Sequence, residues 1–473
     1  MEDFYSVKPR PAPSRAVRAS PSRGRVGPVP SGPAVSPTKG AAPTNRHLAK
    51  TSSVTYGSTP FKDFVSGLEA DPTARQFVHA RRAKTPAAHA VVGAIQNALQ
   101  AQGTWRADAW ATRKQAVEAI VCDLLHRLVT RGPDATIHAE TANAEKHTRY
   151  SEDFSGRPQR ETLAALCSLG AAVQTTRAAK PARQATFKVG PVLVRLAELH
   201  KITEGDFMRT PGEEIHIQRG YKVNGRAPLI DYTDDEVPAS IEDLRAWLKQ
   251  YNWFLETSDI SCSLPGVDLT DRRLFRIFNN KSFSLGGRLY RGFWQAMRSA
   301  ERHHIRIEGM PTVQLDYRAT MLTLAYGAAK AELPSGDPYT LEGLEQHRRG
   351  VKRLTVAMLC VDTPLRSWPE ELYSGFLDDE GELVATLPEI RARIKAAHPA
   401  LAASWEAGAG LRLMHTESQI LVEVLGACYR RGIVALPVHD CVVVREDQAD
   451  RVADLMRAFF HGLAGVPCSV HKL

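Results

Sequence analysis

Two short apolar stretches each deliver an aspartate: residues 311–317 (PTVQLDY) carry Asp316, and residues 434–444 (VALPVHDCVVV) carry Asp440. Between them, residues 346–361 read as a basic helical segment with Arg348 and Lys352 one turn apart. Two carboxylates brought together repel unless cations lie between them, and Mg²⁺ binds through one or two carboxylates plus substrate phosphate oxygens. With two such ions about 4 Å apart, one activates an attacking hydroxyl and the other stabilises a leaving pyrophosphate, which is nucleotidyl transfer. On the helical segment Arg348, Lys352, Val356 and Cys360 share a face, while Val351, Leu354, Met358 and Val361 form the stripe expected to be buried. An arginine and a lysine at that spacing suit a triphosphate clamp. Each feature alone has a plainer reading: a strand-capping Asp, a His-Asp turn, a wet helix face. Their order along the chain is what favours chemistry.

The elements that must position these groups are legible around them. Residues 305–308 and 312–315, joined through Gly309 and Met310, read as a hairpin whose second strand delivers Asp316 to its end, before a helix over residues 319–330. Residues 433–438 and 441–445 read as two strands with His439 and Asp440 at the tip of a tight hairpin. The helix before them places Leu413, Ile420, Val424 and Cys428 on one face and ends near Gly432. Residues 238–254 read as a helix through Ala239, Leu244, Trp247, Leu248 and Tyr251. The spacing therefore predicts an α+β fold with a small antiparallel sheet backed by helices over residues 211–473. Residues 56–210 read as a mostly helical domain, with helices over 90–101, 115–131 and 160–175. There Lys114, Arg127, Arg131, Lys146 and Arg149 are candidates to follow a nucleic-acid backbone, although charges on helix faces are usually only solvated. Residues 1–55 are rich in Pro, Ser, Gly, Ala and Arg and nearly free of aliphatic side chains, which predicts a disordered basic tail.

With 473 residues the chain exceeds what one hydrophobic core usually serves. Its formal charge of +9 leans toward a polyanionic partner, though much of the excess sits in the tail. Seven cysteines without a CxxC pair or zinc-module spacing argue against a structural zinc and fit a reducing cytosol. No apolar run approaches the roughly 20 residues of a membrane helix, and the first thirty residues hold no secretory h-region. The expectation is a cytoplasmic protein without a membrane partner.

At the same residues the sequence resembles the family A (Pol I-like) DNA polymerases and, more distantly, the single-subunit phage RNA polymerases. Leu315-Asp316-Tyr317 resembles motif A, Arg348-xxx-Lys352 the RxxxK of motif B, and Val438-His439-Asp440 the V-H-D of motif C. Upstream, Gly287-Arg288-Leu289 followed by Gln295 resembles a G-R-L…Q stretch that contacts primer and template. The likeness runs from about residue 274 to residue 445. The GGRxY…WQ, GDPY and LPVHD patterns at residues 286–295, 336–339 and 436–440 are also similar to a compact polymerase-like group from bacterial mobile elements and phages. The resemblance implies a right-hand palm with reduced helical fingers. It implies two Mg²⁺ ions, with Mn²⁺ as a substitute, held by Asp316, Asp440 and the Tyr317 carbonyl, and a triphosphate held by Arg348 and Lys352. It further implies that Arg288 and Gln295 touch the primer-template minor groove and that His439 lies near the primer terminus.

The departures concern the sugar pocket. Met321 stands where the family's DNA polymerases have a glutamate, Val356 and Cys360 replace the aromatic and the tyrosine beyond the motif B lysine, and Cys441 replaces the second acid of motif C. No acidic pattern for a 3′–5′ exonuclease is evident. The leading expectation is a primer-extending DNA polymerase without proofreading that serves a mobile element, with DNA primer-template and nucleoside triphosphates as partners. An RNA polymerase or primase on the same fold, and a catalytically inactive DNA-binding replication protein, are the alternatives. A nuclease would leave the Arg348/Lys352 helix without a role.

Overall fold

Thr85 caps a helix by accepting from the Ala88 amide, and Pro86 fits its first turn, where no backbone donor is needed. The result is α1 (Pro86–Ala101), followed by α2 (Ala107–Arg131). Val91, Ile95 and Leu99 of α1 meet Val117, Ile120, Leu124 and Leu125 of α2 in a first hydrophobic core. The chain was solved as a computed structural model, which describes residues 75–103, 105–139, 149–150, 156–176, 184–219 and 229–473. The expected tail and Lys146 lie outside the described residues.

The described part of residues 56–210 is mostly helical, but its core also contains a sheet that the reading omitted. Its strands are β1 (Arg75–Gln76), β3 (Thr136–His138), β4 (Ala172–Thr176) and β5 (Thr186–Val189), in the order β1-β3-β5-β4; β2 (Arg81–Ala83) pairs separately with β6 (Phe207–Arg209). The expected helix over 160–175 stops early as α3 (Arg157–Ser168), since Gly170 takes φ +69° and the chain turns back as β4. There the Thr175 and Thr176 hydroxyls bond the Thr186 hydroxyl across the ladder at 2.6 and 2.7 Å. Strands of two to five residues are too short for a period of two to stand out in sequence. Helix α4 (Pro191–Leu199) closes this core.

From residue 215 the chain is α+β as the patterning predicts. It begins with β7 (Ile215–Arg219), α5 (Ala239–Thr257), β8 (Ile260–Cys262), β9 (Phe275–Asn279), β10 (Ser282–Tyr290) and α6 (Phe293–Ala296). The hairpin β11 (Ile305–Ile307) and β12 (Met310–Tyr317) follows, then α7 (Thr320–Ala328), α8 (Arg348–Cys360), α9 (Glu370–Tyr373) and α10 (Leu387–Ala397). The chain ends with α11 (Gly410–Tyr429), β13 (Ala435–Val438), β14 (Cys441–Arg445), α12 (Ala449–Ala464) and β15 (Val470–Lys472). One antiparallel sheet runs β13-β14-β12-β11-β8, with β15 also pairing to β12, and a separate sheet runs β10-β9-β7. Alternation along β12 sends Leu315 and Tyr317 into the second core, where Leu322, Leu354, Leu421, Val424 and Phe460 come from the backing helices. Gln314 and Asp316 point the other way. Among the described residues no helix is long and apolar enough to cross a membrane.

The Gly286-Gly287 pair has a packing reason. Both take positive φ, and a Cβ on Gly287 would come within 2.8 Å of the Arg276 guanidinium and 3.2 Å of the Ser418 hydroxyl. The close approach lets Arg276 donate to the Gly287 carbonyl at 2.5 Å and to Ser418 at 2.7 Å, locking β10 onto α11.

Buried charge joins the first core to the loop before β9. Arg81, fully buried, donates to Asp123 at 2.9 Å and to Asp268 at 2.5 Å, and Arg209 reaches Asp268 at 2.7 Å and Asp271 at 2.9 Å. Burial opposes ionisation of Asp123 and Asp268, yet the arginines outweigh it and hold both carboxyls below the usual range, Asp268 well below. Acids depressed in the folded state contribute stability above their unfolded pKa, about 4, and lose it as the pH falls through the folded value. Melting temperature should therefore fall steeply below about pH 4. In Asp268→Asn it should already be low at pH 7 and change less on acidification; an unaltered acid slope would remove these groups from the explanation.

Candidate active site

Asp316 is the penultimate residue of β12 and faces Cys441, the first residue of β14, in the ladder, so Asp440 lies just before that strand, in the turn beside it. The β13–β14 turn holds only His439 and Asp440, with His439 at φ +58°, as a two-residue hairpin requires. Thr320, at the start of α7, donates its hydroxyl to Asp440 at 2.7 Å. The two acids predicted from sequence thus come from separate hairpins to one end of the same sheet.

Electrostatics report their proximity. Burial and then the Asp440 charge push the Asp316 carboxyl up to about 7, Glu417 adds to the rise, and Lys352 opposes it. Burial together with Asp316 and Asp440 likewise pushes up the Cys441 thiol. Three carboxylates and one ammonium therefore act on one another here.

Glu417 was not foreseen. It projects from α11 with only 2% of its side chain exposed and binds Arg288 at 2.6 and 2.7 Å. Burial pushes its carboxyl up, Arg288 opposes, and Asp440 adds to the rise. The signal was present: Glu417 interrupts the stripe of Leu413, Ile420, Val424 and Cys428, and an acid on the buried face of a helix needs a partner.

The basic helix is α8. Arg348 and Lys352 both lie on its exposed face and over the ring of buried Tyr339, at 5.8 and 5.9 Å. Asp337, of the GDPY stretch, accepts from Arg348 at 2.6 Å and from Arg318 at 3.2 Å. Burial opposes its ionisation, but Arg348 first and Arg318 after it hold its carboxyl low. Arg318, two residues beyond Asp316, is a second cation missed in the sequence. A carboxylate already occupies the fork between these two guanidiniums.

Several expected contacts are committed inside the protein. Arg288 is taken by Glu417, and the Gln295 amide donates to the carbonyls of Pro437 at 2.9 Å and Leu289 at 3.3 Å. The Tyr317 ring lies against Phe460 with its hydroxyl on the Met456 carbonyl at 2.8 Å, and its own carbonyl accepts from Thr320 at 3.4 Å. Met321 packs partly buried against the second core. Val356 is half-buried, while Cys360 backs onto Gly410, where an added Cβ would meet its sulfur at 2.4 Å. Cys360 is therefore a helix-crossing residue between α8 and α11, which corrects its expected place in a nucleotide pocket. Val361 lies just past the helix and is only half-buried. His439 is held near 4 by burial, then by Arg288, so its ring is neutral at physiological pH. Of the basic residues suggested for backbone tracking, Arg131 donates to the Gly266 carbonyl at 3.0 Å and Arg149 pairs with Asp234 at 2.6 Å, while Lys114 is exposed.

Among the described residues no group of three or more His, Cys, Asp or Glu is arranged to hold a metal alone. Mg²⁺ does not need one, since it takes its remaining ligands from water and substrate phosphate. The all-oxygen pair Asp316 and Asp440, mutually repelling, fits such an ion.

No protein-family model matches this sequence, and no curated protein matches it. Among solved structures, the POL domain of Pol1 from M. smegmatis, in complex with DNA primer-template and dNTP, shows a weak likeness. It covers 54% of this chain and 57% of that one, at 15% identity and a TM-score of 0.25. This chain therefore matches a little over half of that chain's length.

Proposed function

We propose that this chain is a template-directed nucleotidyltransferase that extends a primer with nucleoside triphosphates, a DNA polymerase of family A type without proofreading. The observation that carries the reading is the placement of Asp316 at the end of β12, across the ladder from Cys441, with Asp440 in the adjoining two-residue turn, where its charge raises the Asp316 carboxyl. Two acids at one end of a sheet, whose charges act on each other and on a nearby lysine, are what a divalent ion and an incoming triphosphate would relieve.

In this reading Asp316, Asp440 and the Tyr317 carbonyl hold Mg²⁺, which when bound activates the primer hydroxyl and stabilises the leaving pyrophosphate. Thr320 fixes the Asp440 carboxylate through its hydroxyl. Arg348 and Lys352, joined by Arg318, bind the triphosphate and offset charge that develops on it, after Asp337 releases the two guanidiniums. The neutral His439 ring stands beside the acid that faces the primer end. The palm is the sheet carrying both acids, and α8 is the reduced fingers.

Primer extension by the purified protein with Mg²⁺ tests the reading, and absence of incorporation with either nucleotide set defeats it. The replacement of the sugar-pocket residues by Met321 and Val356 keeps an RNA-synthesising polymerase or primase as the second reading. Parallel dNTP and rNTP reactions on one template decide between them.

The raised Asp316 carboxyl also makes a stability prediction. Its folded value of about 7 exceeds the unfolded value near 4, so the folded state is favoured by the proton below about pH 4 and loses that advantage as pH rises to about 7. Mg²⁺, which binds only the ionised form, should raise the melting temperature at pH 8 more than at pH 5.5. Equal shifts at both values, or shifts retained in Asp316→Asn, would count against a metal at this residue.

A further inference from the structure

Five partly exposed rings run from Tyr150 to the Asp440 turn. Tyr150 and His216 lie 5.0 Å apart between ring centres, and His216 stacks on Phe275 at 4.0 Å with planes 23° apart. Phe275 stacks with Tyr290 at 6.3 Å, and Tyr290 meets His439 edge-on at 6.0 Å. Register makes the row: Phe275 of β9 pairs with Tyr290 of β10, and β7 brings His216 alongside in parallel. Elsewhere in this region large rings such as Phe278 and Trp294 are fully buried, so a row of partly exposed rings is a distinct arrangement.

We propose that this row, across the sheet β10-β9-β7, is a track for single-stranded nucleic acid that leads to the acidic turn. Every base has a π face, so a ladder of rings takes successive bases without regard to sequence, while guanidiniums at its edge take the phosphates. Arg291 fits that second role: it lies over Phe275 at 5.9 Å, keeps 44% of its side chain exposed, and has Asp271 no closer than 3.9 Å. The carboxylates of the cleft at the start of the row are turned to other partners. Glu213 accepts from Arg245 at 2.8 Å, Asp271 from Arg209 at 2.9 Å, and Glu214, 2% exposed and with no hydrogen bond to its carboxylate, lies 3.8 Å from Arg273. Burial holds His216 near 4, so it offers a neutral aromatic face. A duplex keeps its base faces inside its own stack and cannot use such a ladder, which selects a single strand as the occupant. The inference rests on the polymerase reading only for what the track delivers, an unpaired template; the binding itself needs neither metal nor nucleotide.

The test is fluorescence anisotropy of a labelled thymidine oligonucleotide and of a labelled hairpin duplex with the full chain, without nucleotides. Cross-strand rings also stabilise sheets, so the variants must separate shape from π character. Phe275→Leu and His216→Leu should each weaken single-strand binding about tenfold, and Phe275→Trp should keep it, with duplex binding changed less than about twofold. Arg291→Ala should flatten the salt dependence of the single-strand affinity. Wild-type affinity in Phe275→Leu, equal loss on single strand and duplex, or loss in Phe275→Trp as great as in Phe275→Leu would overturn the track. Failure of primer extension with these ring effects intact would remove the polymerase and leave the track standing.

Discussion

Asp316→Asn and Asp440→Asn should each lower nucleotide incorporation by at least about a thousandfold, the scale on which lost charge stabilisation of a transition state acts. The same Asp316→Asn protein should be as stable as the parent at pH 8 or more so. The reason is the carboxyl pushed up to about 7: at pH 8 it is ionised against burial, Asp440 and Glu417, with Lys352 and the Tyr317 backbone hydrogen bond too weak to offset them. An amide of the same shape relieves that repulsion and cannot carry a divalent ion. In Asp440→Asn the carbonyl oxygen can still accept from the Thr320 hydroxyl, so the turn should survive while activity does not. Loss of activity with unchanged or raised melting temperature is the signature of acids kept for chemistry, at a cost to folding. Incorporation within about tenfold of the parent in either variant would exclude a two-metal mechanism, and falling stability in Asp316→Asn would contradict the electrostatic account.

How much of this was legible in the sequence follows from how local each signal is. The hairpin β11–β12, the two-residue β13–β14 turn and helices α8 and α11 announce themselves by period, by Gly309 and Gly432, and by β-branched runs. That β12 and β14 pair with Asp316 against Cys441 is a long-range fact no window could show. It was reachable only through motif order. The sheet β1-β3-β5-β4 was missed because its strands are too short for alternation and lie between longer helical patterns. The resemblance implied nucleic-acid contacts for Arg288 and Gln295, and nothing in the sequence shows their internal partners, Glu417 and the Pro437 carbonyl. Cys360 was placed on a binding face by helical spacing and by the resemblance, and Gly410 opposite it lets two helices cross there. Glu417, by contrast, was readable as an acid out of place in an apolar stripe.

Glu417→Leu should destabilise the fold by about 3–5 kcal/mol, the cost of leaving a buried partner uncompensated. The orphan is Arg288, whose side chain is only 21% exposed and whose field already reaches Asp440. Replacing both members, Arg288→Met with Glu417→Leu, should recover most of that loss, since a buried pair does little better than apolar groups of similar volume. The two partners respond differently: burial and Asp440 push the Glu417 carboxyl up against Arg288, while Glu417 holds Arg288 more firmly in its charged form. A thermodynamic cycle of the two single variants and the double should show strong coupling, and additivity would mean that the pair does not behave as a unit. If the pair is kept for the site, the double variant should fold and still extend primers poorly, because Asp440 loses the Arg288 guanidinium that Glu417 holds beside it. Full activity in a stable double variant would return Arg288 and Glu417 to the architecture of β10 and α11 alone.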